Sequence, residues 1–145
     1  MRGKRFCPIC GNKVNYRNKT YCSNKCQLEM QSKEFIKRWL RGEETGMRGS
    51  YQLSTSIREY LLKLSSYKCS KCDWGETNPF SKSIPLEIEH IDGNYTNNIP
   101  ENLIVLCPNC HSLTKTYKGA NKGNGRTSRK KYYKPQRESA FKSGS

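Results

Sequence analysis

The eight cysteines of this chain fall into four closely spaced pairs. The pairs are Cys7 with Cys10, Cys22 with Cys26, Cys69 with Cys72, and Cys107 with Cys110. Two thiolates at such a spacing can bind one zinc ion, and two pairs complete a closed tetrahedral site. The order of the pairs along the chain therefore predicts two structural zinc ions, one bound by the first two pairs and one by the last two.

A disulfide framework is the alternative interpretation of the cysteines. The N-terminal residues Met-Arg-Gly-Lys-Arg-Phe-Cys are not followed by an apolar stretch, so we expect no signal peptide. We expect a cytoplasmic protein, and disulfides are rare in that reducing compartment. A redox motif needs one Cys-X-X-Cys pair, whereas this chain has three. Zinc binding is therefore the favoured interpretation.

Both histidines of the chain lie close to the last two cysteine pairs. Residues 86–94 read Leu-Glu-Ile-Glu-His-Ile-Asp-Gly-Asn, which predicts a strand that ends in a polar turn. Glu-Asn-Leu follows at 101–103, and Cys-Pro-Asn-Cys-His follows at 107–111. Carboxylate, amide and imidazole groups are the side chains that metal-assisted acid–base chemistry uses.

This ordered run of motifs resembles the HNH endonuclease family, which has the ββα-metal fold. The three positions that name the family are His90, Asn102 and His111. The resemblance covers residues 66–118 closely, including the Cys-X-X-Cys pairs that many members carry around the motif. It extends more loosely to the whole chain, which is similar to small free-standing HNH proteins of bacteriophages, including homing endonucleases. The chain departs from the family at Glu89, where members often have Asp or His.

The resemblance implies a metal-dependent endonuclease that hydrolyses phosphodiester bonds in DNA, of the homing or phage nicking type, with His90, Asn102 and His111 as catalytic residues. His90 is the expected general base, since an imidazole with a pKa of ~6.5 can take a proton from water at neutral pH. Asn102 is expected to orient His90 or to brace the loop. Glu89 and His111 are expected to bind a catalytic Mg²⁺ or Mn²⁺ ion, which a carboxylate and an imidazole with open water positions suit. The products would carry 5′-phosphate and 3′-hydroxyl ends, as in the family.

The expected roles of Glu89 and His90 create a geometric tension. Adjacent residues on a strand point to opposite faces, so both can reach one site only if the strand ends or twists there. The turn signal Asp92-Gly93-Asn94 follows directly and makes such an end plausible. If Glu89 is not a ligand, Asp92 is the nearest substitute.

Charge divides the chain into three parts. Its 27 Lys and Arg against 12 Asp and Glu give a formal charge of +15, which suggests a polyanionic partner. Residues 1–41 and 115–145 are strongly basic, whereas residues 42–114 carry six basic and nine acidic residues. An acidic centre suits an enzyme that holds a divalent cation against phosphate. We expect double-stranded DNA as the substrate and no membrane contact, since no apolar run approaches the ~20 residues of a membrane span.

Two basic regions are expected to contact DNA. One is the polar face of an N-terminal helix, and the other is a C-terminal tail in which basic residues are interleaved with tyrosines. The expected DNA-binding residues are Lys33, Lys37, Arg38, Arg41, Lys115, Lys118, Lys122, Arg126, Arg129, Lys130 and Lys131. A solvated helix face and a solubility tail are the alternative interpretations.

The pattern of elements predicts an α+β protein in which zinc compensates for an apolar content of only 33%. We expect a zinc knuckle with a basic amphipathic helix over 1–41, a linker over 42–53, an HNH module over 54–118 and a basic tail over 119–145. The expected elements are helices from Ser23 to about Arg41, from a capping box at Ser56–Glu59, and from Asn109 to about Tyr117, and strands over 84–91 and 103–106. The residues expected to pack in the core from the first helix are Leu28, Phe35, Ile36, Trp39 and Leu40.

Two alternatives to a free-standing nuclease are open. One is a DNA-binding zinc-finger regulator without activity, although the intact His90, Asn102 and His111 argue against it. The other is a packaging-associated phage nuclease, which works only in an assembly with phage packaging proteins. If phage-encoded, the protein would act in the host cytoplasm.

Overall fold

The computed structural model describes residues 3–15 and 20–121 and divides the chain into two compact units. The units are Met1–Glu44 and Thr45–Ser145. They contain helices and two small antiparallel sheets, so the protein is of the α+β class, as predicted. Within the described ranges, no helix is both long and apolar enough to cross a membrane.

The N-terminal unit is a cysteine-rich turn followed by a long helix. A backbone bridge between Phe6 and Lys13 closes the turn. Helix α1 (Asn24–Leu40) begins where the Ser23 hydroxyl accepts a hydrogen bond from the backbone N–H of Cys26 at 3.3 Å. The predicted start of this helix is confirmed.

Glycine closes the C-terminus of α1. Gly42 has a φ of +76°, a left-handed conformation that glycine adopts without steric cost. Its N–H donates to the carbonyl of Trp39 at 2.9 Å, and the N–H of Glu43 donates to the carbonyl of Arg38 at 2.9 Å. These two bonds form a Schellman cap, which ends the helix at the predicted place.

The buried side of α1 is narrower than predicted. Ile36 and Trp39 are buried and Phe35 is half-buried, as expected for core residues. Leu28 and Leu40 are 63% and 47% exposed, so the prediction is wrong for these two. A helix in so small a unit buries only a narrow stripe, which leaves residues at its edges in solvent.

The second unit begins with a short β-hairpin. Strands β1 (Met47–Arg48) and β2 (Gln52–Leu53) pair antiparallel, and helix α2 (Thr55–Leu64) follows at once. Part of the segment expected to be a linker is therefore paired structure. Helix α2 begins after Ser54, whose side chain makes no capping bond, so the capping box predicted at Ser56 does not form.

A second hairpin and a short helix complete this unit. Strands β3 (Glu87–His90) and β4 (Leu103–Leu106) pair antiparallel, and helix α3 (Pro108–Ser112) packs on both strands. The bounds predicted for β4 are confirmed. Strand β3 is shorter than predicted, because a bond from Leu86 N–H to the Ile84 carbonyl turns the chain before it begins.

Helix α3 is also shorter than predicted, ending at Ser112 rather than near Tyr117. The hydroxyl of Thr114 donates to the carbonyl of His111 at 2.9 Å. That side-chain bond satisfies a terminal carbonyl of the helix and favours a turn over another helical residue. Residues 113–117 form turns and bends, and a short 3₁₀ helix follows at Lys118–Asn121.

The core of the second unit lies between α2 and the hairpin of β3 and β4. Ile57 of α2 and Leu106 of β4 are almost completely buried, as is Leu86 just before β3. The Arg58 guanidinium donates to the carbonyl of Leu86 at 2.8 Å. Helix α2 thus supports the hairpin that carries the candidate site residues.

Candidate functional site

The cysteines form two clusters of four, and within each cluster the sulfur atoms lie within 4.8 Å of one another. The clusters are Cys7, Cys10, Cys22 and Cys26, and Cys69, Cys72, Cys107 and Cys110. These are the two groups predicted from the order of the pairs. Sulfurs that share one tetrahedral zinc lie about 3.8 Å apart, and the sulfurs of Cys72 and Cys107 lie 3.7 Å apart. Both clusters could therefore hold zinc.

The thiols within each cluster differ in pKa. Burial raises the pKa of Cys7, but backbone amide hydrogen bonds outweigh burial and lower the pKa to about 6. A hydrogen bond with the neighbouring thiol of Cys10 raises the pKa of Cys22 to about 12. Backbone hydrogen bonds likewise lower the pKa of Cys69 to about 6 despite its burial. A hydrogen bond with the thiol of Cys72 raises the pKa of Cys110 to about 12. A metal ion that takes all four sulfurs must displace their protons.

The second cysteine cluster ties the loop after α2 to the start of α3. The N–H of Ser70 donates to the carbonyl of Val105 at 2.9 Å, and the sulfur of Cys107 accepts from the N–H of Cys110 at 3.4 Å. His111 follows Cys110 directly on α3. A zinc ion in this cluster would hold the helix that carries His111 against the hairpin.

The carboxylates of Glu87 and Glu89 both contact the imidazole of His111. They share one face of β3, because residues two apart on a strand point the same way. Oε2 of Glu89 lies 2.7 Å from Nε2 of His111, and Oε2 of Glu87 lies 2.6 Å from Nδ1. The structure thus brings together the two expected ligands of the catalytic ion.

Glu87 is the residue of this group that sequence reasoning missed. Its spacing of two residues from Glu89 on a predicted strand was the available signal. The side chain of Glu87 is 50% exposed, whereas those of Glu89 and His111 are 12% and 20% exposed. Glu87 therefore supports His111 from the solvent side.

The turns after α3 hold this carboxylate–imidazole pair in place. The hydroxyl of Thr116 donates to Oε1 of Glu89. The ring of Tyr117 meets the ring of His111 edge to face, with the centroids 5.2 Å apart. The side-chain amide of Asn121 donates to the carbonyl of Gly93 at 2.9 Å, which fixes these turns against the loop after β3.

A cleft of about 390 Å³ opens beside Glu89. Its floor is apolar and includes Ile104, and its lining also includes the exposed lysines Lys71 and Lys115. Glu89 lines this cleft, and His111 reaches it only through its contact with Glu89. A carboxylate and an imidazole in contact are donor types that suit a divalent ion such as Mg²⁺ or Mn²⁺. Ammonium groups at the cleft suit the phosphates of a nucleic acid. Lys115 is among the predicted DNA contacts, whereas Lys71 is not.

His90 is the last residue of β3 and pairs with Leu103 directly after the Glu89–Ile104 pair, so its side chain points to the other face of the strand from Glu89. It contacts Asn98 there rather than Glu89 or His111. Nε2 of His90 lies 2.7 Å from Oδ1 of Asn98. The side chain of Asn98 is buried, and its Nδ2 donates to the carbonyl of Thr45 at 3.3 Å. Asn98 had no predicted role, although it lies in the same polar run as the other candidate residues.

Asn102 is buried beside the turn that follows β3. Its Oδ1 accepts from the N–H of Asp92 at 3.0 Å, and its Nδ2 donates to Oδ1 of Asp92 at 2.8 Å and to the carbonyl of Asn97 at 2.7 Å. Of the two roles expected for Asn102, the geometry displays bracing of the loop. The residue in contact with His90 is Asn98.

The carboxylate of Asp92 is engaged within the turn. It accepts hydrogen bonds from the side chains of Asn97 and Asn102 and from the N–H of Asn94, at 2.7 to 2.8 Å. The bond from Asn97 is the main reason that the pKa of Asp92 lies below its ordinary value. Asp92 is therefore less suited than Glu89 to bind an ion.

The basic residues expected to bind DNA fall into three groups. Those on α1 form the ion pairs Lys33–Glu29, Lys37–Glu34, Arg38–Glu44 and Arg41–Glu43, with distances of 2.8 to 2.9 Å. Exposed pairs of this kind are weak and can open to a phosphate. Lys115 and Lys118 are exposed, and the Lys118 ammonium lies over the Tyr117 ring. The other five expected DNA-binding residues lie outside the described ranges: Lys122, Arg126, Arg129, Lys130 and Lys131.

One curated protein similar to this chain is a phage enzyme. Over 74 residues the chain is 49% identical to the "H-N-H endonuclease F-TflIV" of Escherichia phage T5. The match covers 51% of this chain and 31% of that protein, so the chain spans about a third of the length of its relative. No protein-family model matches the chain, and no solved structure matches it significantly. The relative confirms the resemblance to phage HNH endonucleases.

Proposed function

We propose that this protein is a metal-dependent HNH endonuclease that hydrolyses phosphodiester bonds in double-stranded DNA. The observation that carries the proposal is the 2.7 Å contact between His111 of α3 and Glu89 of β3, whose side chain lines an open cleft. The name of the relative from phage T5 supports the same activity. The proposed enzyme is an endonuclease of the homing type or of the phage nicking type.

His90 is the proposed general base, which takes a proton from the attacking water. A positioned general base contributes about 10²–10⁴-fold to a rate. Asn102 holds the turn after His90 through its bonds to Asp92. Glu89 and His111 would hold Mg²⁺ or Mn²⁺, and the bound ion would stabilise negative charge on the scissile phosphate.

The order β3, β4, α3 supports a ββα-metal module, which we assign to residues 54–118. Residues 1–41 form the zinc knuckle with its helix, and residues 119–145 form the basic tail. Residues 42–53 connect the knuckle to the module and include the β1–β2 hairpin. Each cysteine cluster binds one structural zinc ion. Small domains with little apolar surface need such a covalent or metal staple.

DNA is held by lysines and arginines around the module. Lys71 and Lys115 contact phosphates near the cleft beside Glu89, and the tail adds contacts along the duplex. Phosphate contacts position the enzyme without reading the sequence.

Cleavage of supercoiled plasmid tests the activity. The zinc-loaded protein should nick or linearise plasmid after addition of Mg²⁺ or Mn²⁺, with 5′-phosphate and 3′-hydroxyl ends. His90→Ala should lower the rate by about 10²–10⁴-fold while DNA binding persists. Glu101→Gln, at an exposed glutamate of the same segment, is the matched control and should cleave normally.

Two outcomes would contradict the proposal. DNA binding without cleavage in any divalent ion would indicate a zinc-finger regulator. Cleavage that requires added packaging proteins would indicate a packaging-associated nuclease rather than a free-standing one.

A further inference from the structure

The side chain of Asn98 joins two distant parts of the second unit. Its Oδ1 lies 2.7 Å from Nε2 of His90, and its Nδ2 donates to the carbonyl of Thr45 at 3.3 Å. Asn98 is only 3% exposed, so water contributes little to its hydrogen bonding. The amide therefore has a polar partner at each end and little freedom to turn.

The carbonyl of Thr45 determines which way the amide points. A backbone carbonyl only accepts hydrogen bonds, so it requires the NH₂ group of Asn98 on its side. A flipped amide would place Oδ1 against that carbonyl oxygen and leave two acceptors in contact. The oxygen of Asn98 therefore faces His90.

An amide oxygen facing Nε2 determines the tautomer of the imidazole. Oδ1 is an acceptor, so Nε2 of His90 must carry a hydrogen and donate it. In a neutral imidazole the other nitrogen, Nδ1, then holds the lone pair. The atom of His90 that can accept a proton is thereby specified.

We propose that Asn98 is a positioning residue that holds His90 in the Nε2-protonated tautomer, so that Nδ1 is the atom that accepts the proton from water. The inference rests on the proposed function in that it takes His90 as the general base. Asn98 is buried and acts through His90. Through Thr45, the segment that leads into β1 takes part in orienting the base.

The nitrogen resonances of His90 test the tautomer directly. In a neutral imidazole the protonated and unprotonated nitrogens have well-separated ¹⁵N shifts. The chain has only two histidines, so a His111→Gln variant assigns the spectrum of His90. Spectra of the zinc-loaded protein are recorded at a pH about two units above the ordinary imidazole pKa of ~6.5.

The wild-type spectrum should show a protonated Nε2, with a slowly exchanging hydrogen, and an unprotonated Nδ1. Asn98→Leu should bring the two ¹⁵N shifts closer together and make the Nε2 hydrogen exchange with water rapidly. Asn98→Asp keeps an acceptor beside Nε2 and should keep the hydrogen on that nitrogen, but it places a carboxylate oxygen against the Thr45 carbonyl and should lower the stability of the protein. Asn97→Ala, which removes a neighbouring amide bonded to Asp92 rather than to His90, is the matched control and should leave both shifts unchanged.

A wild-type spectrum with hydrogen on Nδ1, or with both tautomers populated, would overturn the proposal whatever the variants do. Unchanged shifts in a folded Asn98→Leu protein would also overturn it. In cleavage assays Asn98→Leu should lower kcat by about 10–100-fold with little change in KM, because the misplaced group is the base rather than a DNA contact. The tautomer is measured without cleavage, so failure of the nuclease proposal would appear only in the plasmid assay.

Discussion

Nδ1 of His111 lies 2.6 Å from Oε2 of Glu87, on the opposite side of the imidazole from Glu89. A carboxylate on the outer nitrogen of a metal-binding histidine fixes the tautomer and makes the inner nitrogen a better ligand. Glu87 is therefore placed to support the ion binding proposed for His111. The alternation of β3 places it there, on the same face as Glu89.

Glu87→Gln should weaken binding of the catalytic ion by about 10–100-fold, because an amide neither carries charge nor accepts as strongly from Nδ1. Mn²⁺ affinity is measured by electron paramagnetic resonance and by the Mn²⁺ concentration for half-maximal cleavage. Glu101→Gln removes the same charge from an exposed position and serves as the control. Equal Mn²⁺ affinity in the two variants would show that Glu87 does not support the site.

His90→Ala and His111→Ala should both lose cleavage, but for different reasons. Removal of His111 weakens a ligand pair, so a high concentration of Mg²⁺ or Mn²⁺ should restore part of the rate by mass action. Removal of His90 takes away the base, and additional ion should not restore the rate. Metal titrations of the two variants distinguish these cases. Full activity in His90→Ala would refute the HNH assignment at its centre.

Cys69→Ser should unfold the second unit and lower the zinc content from two ions to one per chain. Structural zinc binding supplies of order ~10 kcal/mol of folding free energy in small domains. Zinc content is measured by elemental analysis and folding by circular dichroism. Ser70→Ala, next to the cluster but without a ligand, is the control. A folded Cys69→Ser protein that still binds two zinc ions would contradict the prediction.

Gly93→Ala should destabilise the loop after β3 by about 1–2 kcal/mol, because non-glycine residues are strained in the left-handed region. Gly93 has a φ of +75°, and an added Cβ would come within 2.4 Å of Oδ1 of Asn121. Asn121 would then have to move and lose its bond to the Gly93 carbonyl. Urea unfolding at a fixed zinc concentration measures the effect. Gly119→Ala meets nothing within 4 Å and is the matched control, which should unfold like the wild type.

Lys71→Ala and Lys115→Ala should each reduce the slope of log affinity against log salt by about 0.9, since each removes one phosphate contact. DNA binding is measured by fluorescence anisotropy over a range of salt concentrations. Lys63→Ala removes an exposed lysine of α2 that does not line the cleft. If all three variants change the slope equally, the cleft lysines have no special part in binding.

Some features of this protein follow from short stretches of sequence. The cysteine pairs, the bounds of β4 and the ends of α1 depend on spacing, apolar runs and caps within a few residues. Ser23 and Gly42 are examples, since each acts on the backbone of the adjacent helix turn. The exposure of Leu28 and Leu40 was not predictable in this way, because it depends on how little of α1 the rest of the small unit covers.

The sequence by itself determined the four cysteine pairs, the HNH motif and the placement of His90 on a strand and of His111 on a helix. The tertiary structure decided the partners of these histidines: Asn98 for His90, and Glu87 with Glu89 for His111. Those contacts form only when the β3–β4 hairpin closes and α3 packs on it, so no local pattern specifies them. Hydrogen bonding depends on distance and direction in space, whereas motif spacing constrains only distance along the chain.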